Sequence, residues 1–276
     1  LNIRPYLNAY GLNIKSLMIF CLTWGMVGSL ISLGLSKKMA KYFMGVKIID
    51  QKNNSGSSSK LIELVTRLSK DAGLKEVPEI GVFSSQDLNA FATGPTKKRS
   101  LVAVSSRLLE QMNIGELEAI LGHEISHIAS GDMVTMTLIQ GIVNAFVMFL
   151  ARVLAFALSS IIKGGGKNRN SYENMTILSF VFEIFFMILG SMVVATFSRF
   201  REYRADQGGA MLAGKEKMIS ALEKLGASKQ IFAAKERPLK AMNALMISRP
   251  SKMGLLKLFA THPSIEKRIA RLKELP

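Results

Sequence analysis

The chain has little of what most metal-stabilised or secreted folds rely on. A single cysteine, Cys21, stands in 276 residues. No intramolecular disulfide can form, and a thiolate-rich zinc site is excluded. Histidine is equally scarce. His123, His127 and His262 are the only three, so any imidazole-based site must be built from them. Acidic residues are also few, with 20 Asp+Glu against 36 Lys+Arg and a formal net charge of +16. A charge of that size asks for anionic partners. No nucleic-acid recognition motif is present, and the basic residues gather beside apolar runs, so membrane lipid is the expected partner and nucleic acid is not. The layout of an intact signal peptide is missing too. The first residue is Leu1 rather than Met, so an element upstream of it is expected.

Apolar sequence, by contrast, is abundant. Hydrophobic residues make up 49% and mean hydropathy is +0.25. Three runs are long enough to cross a bilayer as helices: 16–36, 133–162 and 176–198. Arg152 interrupts the second and Glu183 the third. Intramembrane charges are costly and usually paired, so these two are expected to form a structural ion pair. The second and third runs read as a hairpin joined by the Gly- and Asn-rich stretch 163–175. Lys/Arg-rich segments follow the first run at 37–47 and the third at 199–204. Those sides are therefore assigned to the cytoplasm, with the basic residues on lipid headgroups.

Between and after the runs the sequence is mixed. Residues 51–60, QKNNSGSSSK, read as a linker. Leu61, Leu64, Val65 and Leu68 share one helical face. VPEIGVF, DLNAFAT and LVAVSS read as short strands, the last two forming a hairpin across GPTKKR. A helix is expected from about Ser106 and another over NIGELEAILGHEISHIAS, where Asn113 and Glu116 have capping-box spacing. Amphipathic helices follow over KEKMISALEKLG and SIEKRIARLKEL.

The chemistry lies in GHEISHIASGD, residues 122–132. Four residues apart on a helix, His123 and His127 stand about 40° from alignment and project from one face. That suits two ligands of one tetrahedral ion. Glu124 lies about 100° further round, able to reach a water on the ion without binding it. A catalytic zinc site generally takes three protein ligands and keeps one position open. The extended pattern with a third histidine ten residues after His123 fails, because position 133 is Met. The only other histidine is His262, and the remaining route is a downstream carboxylate in E-x-x-x-D spacing, which makes Glu202 in REYRAD the expected third ligand. Asp206, one turn on, fixes the tautomer of a ligand histidine. Two apolar runs separate His123 from Glu202. Two crossings return the chain to the side it left, so the ligands can meet. Elsewhere, Asn89 in a possible edge strand is a candidate for anchoring substrate backbone. His262 and Arg268 are candidates for stabilising an oxyanion, Arg268 alternatively for holding Glu202.

Together, HEISHIASGDMVTMTLIQG, NAFATGP, SLVAVSS, FREYRAD, GKEKMISALEKL and THPSIEKRI resemble the HtpX family of bacterial membrane zinc endopeptidases, relatives of the eukaryotic CAAX prenyl-protein proteases. The resemblance runs in order along nearly the whole chain. It implies a mostly α integral membrane protein, with a zincin-like protease domain that carries a small β element. The expected division is an N-terminal segment and transmembrane helix at 1–36, a first protease part at 37–132, a transmembrane hairpin at 133–198 and a second protease part at 199–276. It further implies one Zn2+ per chain on His123, His127 and Glu202, with Glu124 as general base and Asp206 behind the ligands. The substrates implied are misfolded or damaged membrane proteins, cleaved under stress at a cytoplasmic-facing site in the cell inner membrane. Family members typically carry two spans ahead of the protease domain, where this chain shows one. A site-specific protease for CAAX or lipidated proteins, and a non-enzymatic membrane protein with structural zinc, are the alternatives.

Overall fold

The computed structural model describes residues 13–50, 57–162, 171–235 and 260–275. Eight helices and four strands make up these residues: α1 (Ile14–Phe43), β1 (Lys47–Ile48), α2 (Ser57–Asp71), β2 (Glu79–Phe83), β3 (Ala90–Thr93), β4 (Leu101–Ser105), α3 (Ser106–Gln111), α4 (Ile114–Ser130), α5 (Asp132–Ile162), α6 (Ser171–Ala213), α7 (Lys215–Lys235) and α8 (Ile265–Lys273). They fall into two compact units. One holds the chain up to residue 32 and 135–196, and the other holds 33–134 and the chain from 197.

The first unit is helical. Ile14–Phe43, Asp132–Ser159 and Met175–Ala213 are each long and apolar enough to cross a membrane. Small residues let two of these helices touch: a Cβ on Gly25 would fall 2.7 Å from the Gly141 carbonyl oxygen. The expected Arg152–Glu183 pair is not formed. Arg152 instead donates to the Met148 carbonyl of its own helix at 3.0 Å, and its guanidinium stands 5.9 Å from the Phe20 ring centroid. A backbone acceptor one turn away and an aromatic face satisfy the cation without the carboxylate. α6 begins at Ser171, so the last residues of the expected 163–175 loop are helical.

The second unit places a mixed sheet of order β1-β2-β4-β3 beside helices. β2 and β4 run parallel, while β1–β2 and β3–β4 are antiparallel. LVAVSS forms the fully buried central strand β4, its five residues all shielded. The hairpin expected across GPTKKR is present. The brief strand β1 and the parallel β2–β4 pairing went unread, because two residues carry no periodicity and pairing partners leave no local trace. Residues 57–60, read as linker, already belong to α2, and 51–56 lie outside the described residues.

Helix α4 is the centre of this unit. Asn113 and Glu116 close a reciprocal capping box at its start. One flank packs Leu121, Ile125 and Ile128 against Leu61, Leu64, Val65 and Leu68 of α2 and against Ile80, Val102 and Val104 of the sheet. The other packs Ala119 and Ile120 against Met218, Ile219 and Leu222 of α7. Replacing one such buried leucine by alanine costs about 2–5 kcal/mol. Gly131 ends α4 in the left-handed region, φ 71°, and its N–H donates to the His127 and Ile128 carbonyls. A side chain is strained there, and the turn brings Asp132 back beside α4.

Helix α6 meets α4 through glycines. A Cβ on Gly208 would fall 2.4 Å from Ser126 Oγ and 2.8 Å from Ser126 Cβ; one on Gly209 would fall 3.0 Å from the His123 nitrogen. The two backbones touch at this point, which sets the depth at which residues 202 and 206 approach α4. We predict that Gly208→Val lowers metal affinity by roughly 10–100-fold, the range seen when the groups that hold ligands are disturbed. Competition with a chelator checks this, and unchanged affinity would contradict it.

Candidate metal centre

One ligand atom from each of His123, His127 and Glu202 lies within 4.8 Å of the others, and all three residues are buried. The imidazoles stand edge to face, centroids 4.7 Å apart and interplanar angle 88°, with their Nε2 atoms 3.2 Å apart. Glu202 faces both. Its Oε2 is 3.6 Å from His123 Nε2 and its Oε1 is 3.5 Å from His127 Nε2. At 2% exposure, this carboxylate is nearly cut off from water.

Each ring is backed by an aspartate. Asp132 Oδ2 lies 2.6 Å from His127 Nδ1, a hydrogen bond. Asp206 Oδ1 lies 3.0 Å from His123 Nδ1, close but less well aligned, so that Nδ1 counts as unsatisfied. Both rings thus direct Nε2 inward, the orientation metal-bound histidines take when a carboxylate holds the other nitrogen. Arg268 in turn grips Asp206 with two bonds, Nε to Oδ2 at 2.7 Å and Nη2 to Oδ1 at 2.5 Å, and its Nη1 stands 3.8 Å from Glu202 Oε2. Its guanidinium is therefore spent mainly on Asp206.

The remaining residues singled out in the sequence line one cavity of about 610 Å³. Glu124 borders it beside His123 and Glu202. His262 enters from the C-terminal segment. Its side chain is 62% exposed, and Nδ1 lies 2.9 Å from Glu202 Oε2. Asn89 borders the cavity from the start of β3 with an exposed side chain. Its main chain continues the pairing with β4: the Ser105 N–H donates to its carbonyl at 2.9 Å, and its own N–H donates to Ser105 Oγ at 3.2 Å.

Two residues of the cluster were missed in the sequence. Asp132 follows the helix-ending glycine, and that glycine beside HEISH was its available signal. Arg201 was read as a headgroup contact. It stands instead 3.8 Å from Asp132 Oδ2 and 3.7 Å from Glu202 Oε1. Other basic residues assigned to lipid also have protein partners: Arg199 donates to the Ala260 carbonyl at 2.9 Å, while Lys37 and Lys41 pair with Glu79 at 2.7 and 3.1 Å.

Two imidazole nitrogens and one carboxylate on facing helices form the donor set of an HExxH metallopeptidase, and they fit a borderline dication such as zinc. Comparison with known proteins agrees. The family model described as Peptidase family M48 matches residues 56–276, and the chain belongs to that family. It is 48% identical to Protease HtpX of Chromohalobacter salexigens over 278 residues, 99% of this chain and 90% of the relative. Protease HtpX of Acinetobacter baumannii, strain AYE, is also 48% identical over 99% of this chain and 90% of its own length. The Protease HtpX homolog of Bacillus subtilis is 46% identical over 95% of this chain and 86% of its own. The crystal structure of Ste24p from S. mikatae shares the fold, with a TM-score of 0.61 at 16% identity, over 96% of this chain and 60% of that longer one. The protein is therefore a membrane peptidase with the HtpX and Ste24p kind of fold.

The carboxylates around the two rings favour the rings' protonated forms. Burial opposes charge on His123, but Asp206 and Glu202 outweigh it and push its pKa up to about 9. His127 is raised likewise, with Asp132 and Glu202 overcoming burial. Burial would raise Glu202, yet the three histidines hold it well below the usual carboxylate range. The signs follow by linkage. The raised histidines contribute fully below their ordinary 6.5; His123 loses its contribution as pH rises towards about 9, and His127 loses its own as pH rises above 6.5. Glu202 contributes above its ordinary 4.5 and loses its contribution on acidification. A bound dication replaces the protons. The rise in Tm on adding zinc should therefore be larger at pH 9 than at pH 6.5. An equal rise at both would contradict proton–metal competition at this cluster.

Proposed function

We propose that this protein is a zinc-dependent endopeptidase of the inner membrane, acting at a cytoplasmic-facing site on misfolded or damaged membrane proteins. The observation that carries the reading is the convergence of His123, His127 and Glu202, with His123 and Glu202 lining a cavity that Glu124 also borders. A structural zinc site has no use for a free carboxylate beside its ligands or for a cavity leading to them. The Lys/Arg-rich ends of the first and third apolar runs support the cytoplasmic orientation.

When bound, zinc would lower the pKa of a water and polarise the scissile carbonyl. The chain's own residues supply the rest. Asp206 and Asp132 hold the two rings so that Nε2 faces inward. The Glu124 carboxylate takes a proton from the attacking water and passes it to the departing amide nitrogen. β3 lies at the edge of the sheet, and its pairing parity turns the N–H and carbonyl groups of Ala90 and Ala92 away from β4. An extended substrate can pair there through its main chain, which suits cleavage without a fixed sequence. Asn89, at the cavity end of that strand, anchors the substrate backbone. His262, whose Nδ1 lies 2.9 Å from Glu202 Oε2, is assigned the role of donor to the oxyanion.

Glu124→Gln should keep its metal and lose roughly 10²- to 10⁴-fold in kcat, the usual contribution of a general base. Metal analysis with casein cleavage checks both, and retained cleavage would refute the mechanism. Asn89→Ala should raise KM with little change in kcat, whereas His262→Ala should lower kcat with metal content intact. Steady-state kinetics separates the two roles: an unchanged KM in Asn89→Ala, or an unchanged kcat in His262→Ala, removes that residue from the site.

A further inference from the structure

The groups behind the ligands are arranged in two matching sets. His123, Asp206 and Arg268 line up on the Oε2 side of Glu202; His127, Asp132 and Arg201 line up on the Oε1 side. Both arginines also approach Glu202, at 3.8 and 3.7 Å.

The two sets differ in contact. Arg268 makes two hydrogen bonds to Asp206 and therefore holds it in place. Arg201 stays 3.8 and 3.7 Å from its carboxylates, and among the described residues its buried Nε finds no hydrogen-bond partner. A guanidinium at that range fixes little geometry, yet its charge still acts, because the surroundings are poorly hydrated.

The formal charges are informative. Glu124, Glu202, Asp132 and Asp206 are offset by Arg201 and Arg268, which leaves two negative charges, the amount a dication neutralises. Without Arg201 the site would carry a third. Extra anionic charge grips a cation more firmly and makes it a weaker electrophile, since Asp132 passes its charge to the ion through His127.

We propose that Arg201 is a positioning residue of an electrostatic kind: it offsets Asp132 and Glu202, so that the metal is held less tightly but remains strongly electrophilic. The inference rests on the metallopeptidase reading. It assigns Arg201 the opposite effect on affinity from Arg268.

The test uses the full chain in detergent, with zinc affinity from chelator competition and kcat and KM from casein cleavage. Arg201→Met should bind zinc about tenfold more tightly and lose about tenfold in kcat, with KM unchanged, as expected when a charge 3.7–3.8 Å from two carboxylates of the site is removed. Arg201→Lys, which keeps the charge, should behave like the wild type. Arg268→Met should bind zinc more weakly. A fall in zinc affinity for Arg201→Met, an unchanged kcat, or a failure of Arg201→Lys to restore activity overturns the proposal. So does loss of the folded protein in both Arg201→Met and Arg201→Gln, which would make the role structural. A wild-type protein that neither binds zinc nor cleaves casein would instead refute the metallopeptidase reading itself.

Discussion

Burial of the Glu202 carboxylate is the constraint on which the rest of the site depends. An isolated carboxylate at 2% exposure would be neutralised or expelled. Here it is surrounded by cationic or proton-bearing groups from three separate stretches: His123 and His127 on α4, His262 and Arg268 near the C-terminus, and Arg201 on its own helix. The aspartates behind the rings and the close glycine contact of α6 with α4 follow from the same need. Each keeps a compensating group within reach of one buried charge. The carboxylates around the two rings favour the rings' protonated forms, and a bound dication would compete with those protons.

The HExxH helix was legible because three local signals coincide there. Asn113 and Glu116 close its start, Gly131 ends it, and the apolar positions between lie on two flanks. β4 and its hairpin with β3 were legible for a similar reason, a short apolar run beside a turn-rich stretch. Signals that depend on distant partners were not. Nothing near Arg201 says that it will face Asp132 across a gap of 69 positions, and a basic residue after an apolar run reads more naturally as a lipid contact. Glycines 208 and 209 look like breakers in a helix, whereas in the folded chain they are the contact surface. Arg152 misled in the other direction. Charge pairing in a membrane run is a sound expectation, but a carbonyl on the same helix was nearer.

The fold tolerates wide sequence change. Ste24p from S. mikatae superposes with a TM-score of 0.61 at 16% identity, while the HtpX proteins match this chain at close to half of all positions. Such a gap is expected when packing requires only apolar character and volume, whereas the chemistry requires particular side chains at particular depths.

Arg268 sits on the last helix, and its two bonds to Asp206 complete the support behind His123. The order of synthesis therefore matters. His123, His127, Glu202 and Asp206 all precede residue 268 in the chain, so they are made before the arginine that pairs with Asp206. The support behind His123 is complete only when the C-terminal helix has packed, so the stretch made last finishes a cluster whose ligands lie earlier in the chain.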